Sequence, residues 1–312
     1  MRLVFRVFSL LLMVGGLLAA QLAPAAAQNM DVSFSDVKLR ELGYPEITIT
    51  VGEDGVDAPS ELAAGYYLIT LQPTKEYSTY LDIMQPPAGL STDEATRLAL
   101  DAAANDLAQS GWGYLGGTNT FEVGVPVSFA IYLAPGEYAW AASYYQLSGE
   151  GDEIMKLVPL TVTGEATPEA ATAEATPAAG GPKADVRLEM TDDLVYMVSP
   201  DPLPTGPQIW EVANTGTKQS HHLVMQRIPE GTTAEQILAE FGGMMAGTPP
   251  AQDSIAMQAV YVGYAALQSG GYTTYQEFDL DPGTYAVICF IIDPATGMPH
   301  VMNGMVTVFT VE

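Results

Sequence analysis

Pro282-Gly283-Thr284-Tyr285-Ala286-Val287-Ile288-Cys289 is the stretch that decides the fold. Proline presets its own φ and glycine takes conformations closed to other residues, so the pair opens a turn. The residues behind it alternate, which puts Tyr285, Val287 and Cys289 on one face of a strand. Tyr275 to Asp281 reads as the antiparallel partner, and the whole predicts a β-hairpin. The pattern occurs twice, since Val127 to Trp140 carries Pro135-Gly136-Glu137-Tyr138-Ala139-Trp140 behind an alternating run of its own. Working outward, Met84-Gln85-Pro86-Pro87-Ala88-Gly89 matches Arg227-Ile228-Pro229-Glu230-Gly231, and a helix start follows each. Ser91 with Glu94 makes the first capping box and Thr232 with Glu235 the second. Behind the second, Ile237, Leu238, Phe241 and Met245 recur at helical spacing. Closing strands are expected over 156–163 and 305–312. Short strands with turn signals between them and one inserted helix predict a Greek-key β-sandwich. The chain is therefore expected to be all-β, one sandwich repeated in tandem.

Between the copies lies EATPEAATAEATPAAGGP, residues 165–182, without a large apolar side chain. Such a segment cannot offset the entropy of ordering it, so 164–183 is expected to be a disordered linker between units 28–163 and 184–312. At the N-terminus, Arg2 and Arg6 precede an apolar run from Val7 to Ala20, and Ala25-Ala26-Ala27 offers a cleavage site. This reads as a signal peptide over 1–27. The run is short of the about 20 residues of a spanning helix, and no cysteine follows the cleavage site to carry a lipid. The mature protein is thus expected outside the cytoplasm, secreted or periplasmic, with no membrane span. The full chain of 312 residues includes 11 Lys+Arg against 37 Asp+Glu, a net charge of −26. That charge argues against nucleic acid as a partner, because phosphate affinity comes from clustered Lys and Arg. With 48% hydrophobic residues, wholesale disorder is excluded, and one cysteine excludes an intrachain disulfide.

The chemistry-bearing residues are unevenly shared. All three histidines, the cysteine and nine of the fourteen methionines lie in 184–312. His221 and His222 open a strand, where a period of two turns one inward and the other to solvent. Nine residues beyond Cys289 comes Met298-Pro299-His300-Val301-Met302-Asn303-Gly304-Met305. Thiolate, imidazole and thioether suit soft or borderline metals, copper above all.

On these residues the second unit resembles the cupredoxins, the plastocyanin/azurin-like blue-copper family. Asn214-Thr215-Gly216 leading into His221 is similar to that family's first-ligand loop. The strand ending at Cys289 is similar to its thiolate strand, and the His300-x4-Met305 spacing to its last two ligands. The resemblance implies two cupredoxin-like sandwiches and, in the second, one copper ion with His221, Cys289 and His300 equatorial and Met305 axial. It implies electron transfer or copper handling, with a redox or copper-donor protein as partner; the methionines around His300 also suit Cu(I). It covers about 184–312 and, more loosely, 28–163.

One departure is the Cys-to-His loop, a few residues in typical members and ten here, Phe290 to Pro299. Extra length costs only about 0.6 kcal/mol per doubling in closure entropy, but gives up the rigidity of a short loop. The first unit has no histidine, and Thr79, Tyr80 and Ala142 stand where His221, His222 and Cys289 do. It is expected to be a structural or partner-binding repeat. No Gly-x-Ser-x-Gly elbow, phosphate-cradling loop or His-Glu-x-x-His helix occurs, so no enzymatic activity is expected. The alternative is a metal-free extracellular module. Ten of the sixteen tyrosines lie in 28–163, and exposed rings such as Trp112 and Tyr114 would bind glycan or protein.

Overall fold

Tandem hairpins of one design organise the computed structural model, which describes residues 35–52, 55–73, 77–91, 94, 111–120, 125–146, 154–164 and 181–312. The signal segment 1–27, residues 165–180 of the linker and the body of the first inserted helix lie outside the described residues. The first sandwich comprises β1 (Glu46–Gly52), β2 (Gly55–Asp57), β3 (Glu61–Ala63), β4 (Gly65–Pro73) and β5 (Tyr77–Gln85), then β6 (Gly113–Thr120), β7 (Val127–Leu133), β8 (Gly136–Gln146) and β9 (Ile154–Thr163). The second comprises β10 (Val186–Met190), β11 (Tyr196–Ser199), β12 (Gly206–Asn214) and β13 (His221–Ile228), then β14 (Val260–Gln268), β15 (Thr273–Leu280), β16 (Gly283–Ile288) and β17 (Val306–Val311).

The two copies agree residue by residue. Ile83 of β5 pairs with Trp140 of β8, and Met225 of β13 pairs with Val287 of β16. Tyr138 of β8 faces Leu160 of β9 as Tyr285 of β16 faces Phe309 of β17. Each Pro-Gly turn is braced from inside: the Tyr138 hydroxyl donates to Ala134 O (3.0 Å) and the Tyr285 hydroxyl to Asp281 O (2.8 Å). Alternation then sorts the side chains. Leu81, Ile83, Phe129, Ile131 and Trp140 fill the first core. Leu188, Trp210, Leu223, Met225, Val287 and Phe309 fill the second.

The sandwiches are not two beads on a tether. One eight-stranded sheet runs β11-β10-β12-β15-β7-β4-β1-β2 through both, because β15 pairs antiparallel with β7 at Thr274–Ile131, Tyr275–Ala130 and Gln276–Phe129. The five-stranded sheet β3-β9-β8-β5-β6 closes the first sandwich and the four-stranded sheet β14-β13-β16-β17 the second. A short helix ahead of β1, α1 (Val37–Glu41), bridges the two, with the Glu277 carboxylate accepting from Ser35 Oγ and Leu39 N. Further bonds cross the seam: Tyr261 OH to Asn119 Oδ1 (2.6 Å), Tyr272 OH to Gln85 Oε1 (2.7 Å) and Gln276 Nε2 to Gly117 O (3.1 Å).

Helix α2 (Ala234–Met245) covers the outer face of the four-stranded sheet, with Ile237, Leu238 and Phe241 against Ile228, Ala286 and Ile288. Its capping box sits one residue later than the sequence suggests. Gln236 N donates to Thr233 Oγ1 and Thr233 N to Gln236 Oε1. Thr232 is unavailable, because its hydroxyl donates to Pro229 O (2.7 Å) and closes the preceding turn. Met245, expected on the apolar stripe, is exposed. In the first sandwich the box forms where expected, between Ser91 and Glu94. Helix α3 (Ile255–Gln258) returns the chain to β14.

Candidate metal centre

Local chemistry aims the first donor. Asn214, at the end of β12, donates through Nδ2 to Gln219 O (2.9 Å) and Gln268 O (2.8 Å) and accepts Gly216 N. Asp192 accepts Thr217 N and Lys218 N. A Cβ at Gly216 would lie 2.5 Å from Asp192 Oδ1, so any larger residue displaces the carboxylate that holds this loop. The tightened loop delivers His221 to the start of β13 with the parity of Leu223 and Met225, facing the core. Cys289 follows β16 with the parity of Tyr285 and Val287, in the same cluster.

The third donor comes back on the long loop, which is tied down rather than slack. Ile292 bridges to Pro299, Asp293 N donates to Met298 O and Gly297 N to Asp293 O. The buried Asp293 carboxylate accepts Ala295 N (2.8 Å), Thr296 Oγ1 (3.1 Å) and Asn303 Nδ2 (3.3 Å). Asn303 belongs to the 3-10 turn His300–Asn303, so the carboxylate holds the loop tip to the turn that carries the histidine. His300 N donates to Ile291 O and Val301 N to Cys289 O. The expected loss of rigidity is thereby corrected, since side-chain and backbone bonds replace shortness.

The result is a group of three. One donor atom each from His221, Cys289 and His300 lies within 4.8 Å of the others. The two Nδ1 atoms are 3.1 Å apart and Cys289 Sγ is 3.4 Å from His300 Nδ1. Metal–nitrogen bonds of about 2.0–2.1 Å and a metal–sulfur bond of about 2.3 Å reach one point from donors at such separations. All three are sealed, at 0%, 0% and 1% exposure. Burial, with His300 beside it, pushes His221 down to about 4, and burial also lowers His300. Both rings are therefore neutral at ordinary pH, as ligation requires. Two neutral imidazoles that turn Nδ1 on each other and on a thiol form a set of donors gathered for a cation. Burial raises the Cys289 thiol to about 11, opposed by the backbone N–H groups of His222 and Ile291 and by the Tyr196 hydroxyl. The two backbone N–H groups would stabilise a thiolate once a metal replaced the proton. The His-Cys-His cluster fits a copper site.

Other expected residues fall as follows. Met305 is buried in the cluster of Cys289, and its N–H donates to His300 O while its carbonyl accepts Cys289 N. Met302 packs in the outer cluster under α2 instead. His222 does not reach solvent, at 7% exposure; Phe290 N donates to its Nε2 (2.8 Å) and Tyr264 lies against its ring. The sequence reading of one solvated histidine is corrected, because the outward face of β13 is itself covered. Tyr196, which no motif marks, is buried with its hydroxyl donating to His222 O. Trp112 and Tyr114, expected as exposed binding rings, are buried.

No protein-family profile and no curated protein matches the chain. Among solved structures it is similar to a dithionite-reduced auracyanin from Roseiflexus castenholzii, at 20% identity over 40% of this chain and 94% of that one, with a TM-score of 0.27. It is similar to a multicopper oxidase at 12% identity over 86% of this chain and 88% of that one, TM-score 0.23. It is also similar to the copper-containing nitrite reductase of Thermus scotoductus SA-01, at 11% identity over 86% and 61%, TM-score 0.21. Both units are β-sandwiches that share one strand register. The expectation of a non-enzymatic chain is withdrawn, since two of these similar structures are enzymes by name. No helix among the described residues is long and apolar enough to cross a membrane.

Proposed function

We propose that the protein is an exported copper protein whose second sandwich, within 184–312, would hold one ion through His221, Cys289 and His300, with the Met305 thioether as a fourth donor. The observation that carries this reading is the convergence of three sealed donors from segments 221, 289 and 300. Copper held there would supply one-electron redox chemistry or a Cu(I) store. The chain's own part is to present neutral imidazoles, release the thiol proton, keep water out and hold the donors through the Asn214 and Asp293 bonds. Burial of both imidazoles in a preset frame favours electron transfer, with a redox protein as partner, over handling of the ion.

Adding Cu(II) to the full chain tests this. An intense visible band at one equivalent is expected, arising from copper–thiolate bonding. Uptake of Cu(I) without that band points to copper handling, and no uptake in either oxidation state overturns the reading.

A further inference from the structure

The metal-free sandwich has no assigned part in the centre, yet a chain of side chains leads from one to the other. His222 Nε2 accepts the N–H of Phe290, the residue after Cys289, at 2.8 Å. Outside the strand ladder, this amide is held by an imidazole rather than a backbone carbonyl. A neutral ring that accepts through Nε2 carries its proton on Nδ1, and Nδ1 lies 3.4 Å from the Tyr264 hydroxyl. The Tyr264 ring stands edge-on to His222 at 5.5 Å between centroids. On its other side it meets Tyr80 of β5, in the first sandwich, edge-on at 5.7 Å. Tyr261, three residues earlier on the same strand, is tied to Asn119 of the first sandwich at 2.6 Å, which anchors this strand to β6 beside the rings.

We propose that Tyr80, Tyr264 and His222 form a positioning relay through which the first sandwich fixes the backbone beside Cys289. His222 and Tyr264 act through Phe290 N and touch no metal; they set where the root of the loop to His300 leaves the strand. The inference rests on the metal reading for its purpose, but not for its geometry.

The test is amide exchange at Phe290 in the metal-free full-length chain, measured by NMR. His222→Leu removes the acceptor and is expected to speed exchange about three- to tenfold, the loss of one hydrogen bond. Tyr80→Leu, remote from the loop, is expected to speed it about threefold, while Tyr80→Phe, which keeps the ring, restores the wild-type rate. The ¹⁵N shifts of His222 are expected to report the Nδ1–H tautomer. Should His222→Leu not fold, the Tyr80 pair decides alone. An unchanged Phe290 rate in Tyr80→Leu overturns the role of the first sandwich, and an unchanged rate in His222→Leu overturns the relay. Because no metal is present, failure to bind copper would leave these rates, and the inference, intact.

Discussion

The two sandwiches share a strand register and a braced Pro-Gly turn, but only one gathers donors. Where His221 and Cys289 meet in the second, the first has Thr79 and Ala142, both buried. The difference shows that this fold and this site are separable. The barrel-like frame is set by alternation along the strands. The site is set just past their ends, by Asn214 before β13 and Asp293 beyond β16, at positions where the frame makes no demand.

The comparison breaks most sharply at the thiol. Cys289→Ala in the full chain is expected to abolish the copper band and weaken uptake by more than the about 10–100-fold typical of losing an outer-sphere partner. Thr79→His with Ala142→Cys in the first sandwich is expected to create no band, since that unit has no second histidine to complete the set; spectrophotometric copper titration of both variants checks the pair. Next in size is the frame. Trp140→Ala is expected to cost about 3–5 kcal/mol in denaturant unfolding. The shared sheet should keep the transition single; two resolved transitions would mean independent sandwiches.

Acid separates the copies further. His221, pushed down to about 4, and His222, pushed down to about 3, both titrate higher when unfolded. Their contribution is present in full above about pH 6.5 and is lost as pH falls toward those folded values, on the order of 3 kcal/mol for His221 alone. Cys289 has the opposite sign: raised to about 11, it contributes below about pH 9 and the contribution is lost as pH rises through 11. Metal-free melting curves from pH 4 to 8 should show the acid limb, and His221→Leu should flatten it. Two smaller effects sharpen the contrast. Asp293→Ala is expected to cost about 1–3 kcal/mol by orphaning its donors and to broaden the copper band. Thr233→Ala should lower stability by about 1 kcal/mol, as Ser91→Ala should in the first sandwich, while Thr232→Ala does not uncap α2.

Much of this was legible from the residues. Alternation and the Pro-Gly turns place Tyr285, Val287 and Cys289 on one face, and the repeat aligns Thr79 and Ala142 with the donors. The grouping of His221, Cys289 and His300 followed from donor chemistry and family likeness. What was not legible depends on contacts between distant segments. His222 is outward by parity, and Tyr264 and Phe290 pack edge-on against its ring and cover it. The long loop has no periodic signal, so the hold of Asp293 on Asn303 across ten residues has no local signature. The pairing of β15 with β7 leaves no mark either, because an edge strand and a paired strand read alike.

That pairing sets what a protease or an engineer would meet. Splitting the chain between residues 164 and 183 and parting the halves would bare two unprotected edges, one along Phe129–Ile131 and one along Thr274–Gln276. Bare edges of this kind recruit other chains, so either fragment should be sticky in isolation, and the intact polypeptide is the smallest well-behaved form.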